Sequence, residues 1–157
     1  MAGKLLKTIG FLAALGVAGA AAFLIVTRPQ PQTDATWTEA GAGDAKNGAL
    51  VFSMGGCVSC HKKPGTEGAE ALVMAGGLVI NSPFGKFHVP NISPDEKAGI
   101  GNWTLAAFGN AVTRGVGPDG SHLYPSLPYG SYARMTPRDV ADLYAYMKTL
   151  PKSDNVA

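Results

Sequence analysis

The chain has 157 residues and a formal net charge of +2, with 15% of its residues charged, a size whose prior is a single domain. No charge run or basic cluster marks a nucleic-acid partner. Glycine (21) and proline (11) favour a small domain with long ordered loops over a long helical bundle.

Residues 1–27 read as a signal anchor or transmembrane helix. Lys4 and Lys7 precede an uncharged stretch from Ile9 to Val26, which Arg28-Pro29 closes. As a helix that stretch spans about 27 Å, close to the ~30 Å hydrocarbon core of a bilayer. The apolar core of a cleaved signal peptide runs to only about 7–15 residues, so the length favours a retained anchor. The alternative is cleavage at the small residues Ala18-Gly19-Ala20 or Ala20-Ala21-Ala22. The lysines are expected to stay cytoplasmic, which places the remainder of the chain in the periplasm of a bacterial inner membrane. Residues 28–43, rich in Pro, Gln, Ala, Thr and Gly, read as a flexible linker. Trp37 does not fit that composition and is expected to be an interfacial or domain-docked aromatic.

The expected domain covers 44–151. Asp44 suits the N-cap of a short helix to Phe52, on which Gly48 and Phe52 share a face. A glycine inside a helix costs about 1 kcal/mol against alanine, which points to a second helix crossing there at close range. Next comes Cys57-Val58-Ser59-Cys60-His61, a C-x-x-C-H run that uses both cysteines of the chain. That spacing is the attachment signature of haem c. Two thiols three positions apart can each form a thioether to a haem vinyl group, and the adjacent histidine then becomes the proximal iron ligand. A zinc site would need about four N/S ligands, and His61, His88 and His122 are not paired at finger-like spacing. A thioredoxin-type pair needs a βαβ setting, and no such pattern of strands is legible.

Residues 67–101 read mostly as loop, with Leu78-Val79-Ile80 pairing briefly as a strand. A helix is expected from Thr104 to Arg114, with Thr104 as N-cap and Gly115 at C′. A Pro/Gly/Tyr loop follows. The last helix begins at the N-cap Thr136, with Pro137 at N1 and Asp139 at N3, and carries the stripe Val140, Leu143, Tyr144 and Met147. It ends at Leu150-Pro151, and 152–157 is a polar tail.

Together these pieces resemble a class I-like monohaem cytochrome c. The strings Ser82-Pro83-Phe84-Gly85, Pro90-Asn91-Ile92-Ser93-Pro94-Asp95, Gly99-Ile100-Gly101-Asn102-Trp103-Thr104 and Tyr124-Pro125-Ser126-Leu127-Pro128-Tyr129 are similar to a single haem domain of the cytochrome c subunit of membrane-bound alcohol and gluconate dehydrogenases. The resemblance implies an all-α fold, with N- and C-terminal helices crossing and long loops around one haem, plus the N-terminal transmembrane helix. It places the distal ligand on the loop before the last helix, at Met135. Met54 and Met74 lie too close to His61 in sequence to cross to the far haem face, Met147 sits on a core stripe, Leu127 cannot ligate, and His122 stays possible. The expected cofactor-binding residues are therefore Cys57, Cys60, His61 and Met135, with His61 and Met135 on the iron. Trp103, Arg114, Tyr129 and Tyr132 are candidates to meet the propionates, although wall or surface roles are the commoner outcome. His88 and 91–95 are expected to make loop-pinning hydrogen bonds.

The function so implied is single-electron transfer rather than catalysis. The donor is expected to be a periplasmic dehydrogenase or quinol-oxidising complex, and the acceptor a terminal oxidase or another cytochrome. The alternative is a permanent electron-transfer subunit of a dehydrogenase or oxidase complex. From Asp44 onward ten basic residues face nine acidic ones, so partner association is expected to depend weakly on salt.

Overall fold

A computed structural model describes residues 2–124 and 126–156. The chain divides into two units, residues 1–30 and the residues from Pro31 onward. The first is helix α1, Ala2–Thr27, with no buried residue. At 1.5 Å per residue it is about 39 Å long, and by length and composition it can cross a membrane.

The second unit is mostly helical. It contains α2 (Asp34–Ala40), α3 (Ala45–Gly55), α4 (Cys57–His61), a 3-10 turn over Gly68–Leu72, the strands β1 (Val79–Ser82) and β2 (Gly85–His88), then α5 (Leu105–Arg114), α6 (Tyr129–Tyr132) and α7 (Pro137–Met147). Its scaffold is the crossing of α3 and α7. An alanine Cβ at Gly48 would lie 1.9 Å from the Asp142 carbonyl oxygen, and one at Gly43 would lie 2.0 Å from that of Ala141. Two glycines thus let the backbone of one segment rest on carbonyls of the other, the close approach expected at Gly48. Around the contact Val51 and Phe52 pack with Val140, Leu143, Met147 and Leu150 in one core, and the Phe52 and Tyr146 rings meet at 5.2 Å.

Polar groups lock the same crossing. Asp142, 3% exposed, accepts from the Asp44 N–H at 2.6 Å, from Asn47 Nδ2 at 2.8 Å and from Arg138 Nε at 3.0 Å. Both helices start as their caps dictate: the Asp44 side chain accepts from Lys46 N–H, and that of Thr136 accepts from Asp139 N–H. In α5 the Thr104 cap accepts from Ala107 N–H, and Gly115 ends the helix at φ +63°.

The expected linker differs most from the structure. Within 28–43 the chain forms α2, and Trp37 is 3% exposed. Its indole lies flat on α5, where a Cβ at Gly109 would come within 2.4 Å of the ring. Just before α2, Gln32 N–H donates to Asn110 Oδ1 at 2.7 Å and Asn110 Nδ2 donates back to Gln32 O at 3.3 Å. With its oxygen facing Arg114, the Gln32 amide also accepts from that guanidinium at 3.2 and 3.1 Å. A buried aromatic and a reciprocal amide pair dock this segment against α5, so the compact unit begins at Pro31 rather than at Asp44. The loop expected over 67–101 likewise holds more than one brief strand: β1 and β2 pair antiparallel, Val79 opposite His88 and Ser82 opposite Gly85.

Candidate functional site

The five residues Cys57–His61 form one short helix, α4, set at an angle to α3 by Gly56, whose φ of +66° places it in the left-handed region. Only glycine takes that conformation without strain. Cys57 is half-buried against the core and Cys60 is exposed, and the two are not joined in a disulfide. Burial pushes the Cys57 thiol up from its ordinary value; its own backbone opposes that rise and the neighbouring Cys60 adds to it.

His61 is held from two sides. Its Nδ1 lies 2.9 Å from the Pro90 carbonyl oxygen. A carbonyl only accepts, so the Nδ1 proton is the donor and Nε2 keeps its lone pair for a metal. The His61 carbonyl accepts from Gly76 N–H at 2.8 Å. Burial lowers the imidazole pKa, with the Pro90 bond opposing it, which keeps the ring in the neutral form that ligation requires. Gly76 is needed here twice over: its φ is +67°, and a Cβ there would lie 2.5 Å from the Pro90 carbonyl carbon.

Met135 stands on the turn after α6, half-buried against the core that Cys57 and Val58 also border. Its N–H donates to Tyr132 O at 2.9 Å. The Tyr132 hydroxyl in turn donates to Gly55 O at 2.6 Å, one residue before the Gly56 hinge. Burial raises the Tyr132 hydroxyl pKa, and the charges that Cys57 and Cys60 carry as thiolates add to that rise. One phenol therefore ties the Met135 turn to the start of the cysteine helix. Met74 (0% exposed) and Met147 (1%) are core, whereas Met54 (80%) faces out from α3. His88 is on exposed β2, and His122 pairs with Val116 in an isolated bridge.

Of the propionate candidates, Arg114 is engaged by Gln32 and Tyr132 by Gly55. The Tyr129 ring covers Gly115, and the Trp103 carbonyl accepts from the Tyr144 hydroxyl at 2.6 Å. In 91–95, Asn91 and Asp95 make loop-pinning bonds as expected: Asn91 Nδ2 donates to Ser153 O, and Asp95 Oδ1 accepts from the Lys97 and Ala98 N–H groups. Sequence reasoning missed Pro90 and Gly76 as holders of His61. A backbone carbonyl 29 residues away leaves no side-chain signal, and only the Gly76-Gly77 pair hinted at a close approach.

Two unpaired thiols and a neutral imidazole with Nε2 released make a donor set that fits covalent haem attachment. Among the described residues no group of three or more His, Cys, Asp or Glu gathers, so the further ligands a zinc site needs are not assembled.

Residues 45–151 match the family described as Cytochrome c. A relative named "Diheme cytochrome c-type", from Cereibacter sphaeroides, is 48% identical over 146 residues, which cover 91% of this chain and 48% of the relative. The "Fructose dehydrogenase cytochrome subunit" of Gluconobacter japonicus is 39% identical over 78% of this chain and 24% of its own length. The "Alcohol dehydrogenase (quinone), cytochrome c subunit" of Gluconacetobacter polyoxogenes is 46% identical over 64% of this chain and 20% of its own length. The chain thus spans about half or less of the length of these relatives.

Proposed function

The chain belongs to the cytochrome c family, whose members carry electrons rather than catalyse, and on that premise we propose a membrane-anchored periplasmic carrier with one haem c. Cys57 and Cys60 would hold the haem through thioethers, and His61 and Met135 would ligate its iron. When bound, the haem supplies a one-electron iron(III)/iron(II) couple whose potential a His/Met pair raises. The observation that carries this reading is the His61 Nδ1 to Pro90 O bond at 2.9 Å, which leaves Nε2 with its lone pair, the tautomer a metal needs. The residues themselves keep that geometry. Pro90 and Gly76 fix the imidazole, Tyr132 fixes the turn that presents Met135, and the α3–α7 crossing holds both. By fixing that turn the chain would offer the iron the same Met135 thioether in both oxidation states, which would leave little to reorganise.

The anchor is α1, with Lys4 and Lys7 on the cytoplasmic side. A dehydrogenase is the favoured donor, because several relatives are named as cytochrome subunits of alcohol, fructose and gluconate dehydrogenases; a quinol-oxidising complex is the other donor. A terminal oxidase or a second cytochrome is the acceptor. One observation favours the second reading, a permanent subunit of a dehydrogenase or oxidase complex. Docking of Gln32 and Trp37 leaves only residues 28–31 as tether after α1, a reach of about 14 Å. So short a tether suits a fixed neighbour better than a wide search.

The test is isolation in mild detergent from membranes of cells competent in cytochrome c maturation. A lone haem protein that stays red after denaturation in SDS supports the carrier. A dehydrogenase that co-purifies in fixed ratio favours the subunit, and a colourless band rejects both.

A further inference from the structure

Beyond α7 the chain does not trail off. The Asn155 side chain donates through Nδ2 to the Ala75 carbonyl at 2.8 Å. Asn91, 6% exposed, donates through Nδ2 to the carbonyls of Ser153 and Asn155 at 2.7 and 3.0 Å. Ser93, fully buried, accepts from Ser153 N–H at 3.0 Å and donates to Ser153 O at 3.3 Å. The other Asn91 atom is also used, its Oδ1 accepting from Ser93 N–H at 2.8 Å.

The two segments gripped in this way are the ones that hold His61. Ala75 precedes Gly76, whose N–H donates to the His61 carbonyl, and Asn91 follows Pro90, whose carbonyl takes the His61 Nδ1 proton. They are also tied to each other, by Gly77 N–H to Val89 O and Ile92 N–H to Met74 O, each at 2.9 Å. Residues 153–155 therefore bond to both segments, whose spacing sets where the Pro90 oxygen meets the His61 Nδ1 proton.

We infer that Asn91 and Asn155, with the backbone of residues 153–155, form a clasp that positions His61, so that the segment after α7 tunes the ligand on the iron. The inference rests on the reading of His61 as an axial ligand. Partners in the outer shell of a metal fix a histidine's tautomer and orientation and raise its basicity. A firm Nδ1–H···O bond makes the imidazole a stronger donor and favours oxidised iron; a loosened one favours reduced iron. Asn155 is exposed and buries little apolar area, so its loss opens no cavity. What it removes is the bond to Ala75.

The test uses the full-length holoprotein and compares wild type with Asn155→Ala, Asn155→Gln and Thr104→Ala. The last removes the α5 cap, away from the clasp, as a control for stability. Reduction potential, the EPR g-values of the ferric form and the solvent-exchange rate of the hyperfine-shifted His61 Nδ1 proton are measured beside the melting temperature. In Asn155→Ala the potential shifts upward, the g-values move and the proton exchanges faster. Asn155→Gln, which keeps an amide donor, returns all three toward wild type, and Thr104→Ala lowers only the melting temperature. A normal low-spin wild type with Asn155→Ala unmoved in potential, g-values and exchange overturns the clasp alone. A wild type without low-spin histidine-ligated haem overturns the parent reading, and the clasp with it.

Discussion

Replacing Gly48 with alanine sets two effects of opposite sign against each other. In an isolated helix the change stabilises by about 1 kcal/mol, because glycine loses more backbone entropy on ordering. In this fold the added Cβ lands 1.9 Å from the Asp142 carbonyl oxygen and 2.8 Å from the Tyr146 Cβ, where ordinary contact begins at 3.4 Å. The obstacle is backbone, so α3 and α7 must part by roughly 1.5 Å, and a gap of even 0.5–1 Å forfeits a quarter to a half of each dispersion contact. Val51 and Phe52 then lose their seats on Val140, Leu143 and Met147. Overpacking of this kind costs about 1–3 kcal/mol and sometimes more; with Phe52 unseated we take about 3–4 kcal/mol, leaving a net loss of about 2–3 after the helix gain. For a unit of this size that lowers the melting temperature by about 8–12 °C. Far-UV circular dichroism of the holoprotein reads the change. Gly130→Ala is the control, since that glycine lies in α6 with open space around its Cβ position, and it leaves stability unchanged or slightly raised. A Gly48→Ala protein that melts at or above wild type refutes the close crossing.

Asp142→Asn weakens the bonds from Asp44, Asn47 and Arg138 and destabilises by about 3 kcal/mol at neutral pH. Burial alone would raise this carboxyl, but those three partners hold it below the usual carboxylate range. Its contribution is therefore complete above the unfolded value of about 4 and is lost as pH falls through the lower folded value. Urea unfolding at about pH 7 and about pH 3 should show the wild-type advantage shrinking in acid; an advantage independent of pH contradicts the assignment. Trp37→Ala leaves a cavity against Gly109 and costs about 3–5 kcal/mol in urea unfolding, whereas a mere linker tryptophan would cost nothing. By the same reasoning a domain begun at Asp44 melts below one begun at Pro31. Met135→Ala abolishes the weak far-red sulfur band of the oxidised protein and lowers its potential; an unchanged spectrum removes Met135 from the iron.

Local chemistry carried much of this protein into view before any tertiary structure. The caps Asp44, Thr104 and Thr136 announce three helices because each offers an oxygen to orphan N–H groups within its own first turn. Gly48 advertises a close crossing, since nothing local rewards a glycine inside a helix. The run 57–61 stands out because thioether spacing is a contact between near neighbours in sequence. The length and apolarity of α1 need no fold at all to be read.

Other features depend on residues far apart in the chain, and only the tertiary structure decided them. Residues 31–43 look like linker because one tryptophan among polar and small residues makes no periodic stripe; the surface that buries Trp37 is α5, with Gly109 beneath the ring. Nothing local marks Asp142, whose partners Asp44 and Asn47 reach it only when α3 crosses α7. The groups that orient His61 are a carbonyl and an N–H, which every residue carries, and the polar tail gains meaning only where Asn91 meets it. Side chains and spacing by themselves determined the three capped helices and the cysteine run with its histidine. Where the backbone turns that histidine, and what holds the backbone there, was settled by contacts between segments that no local pattern encodes.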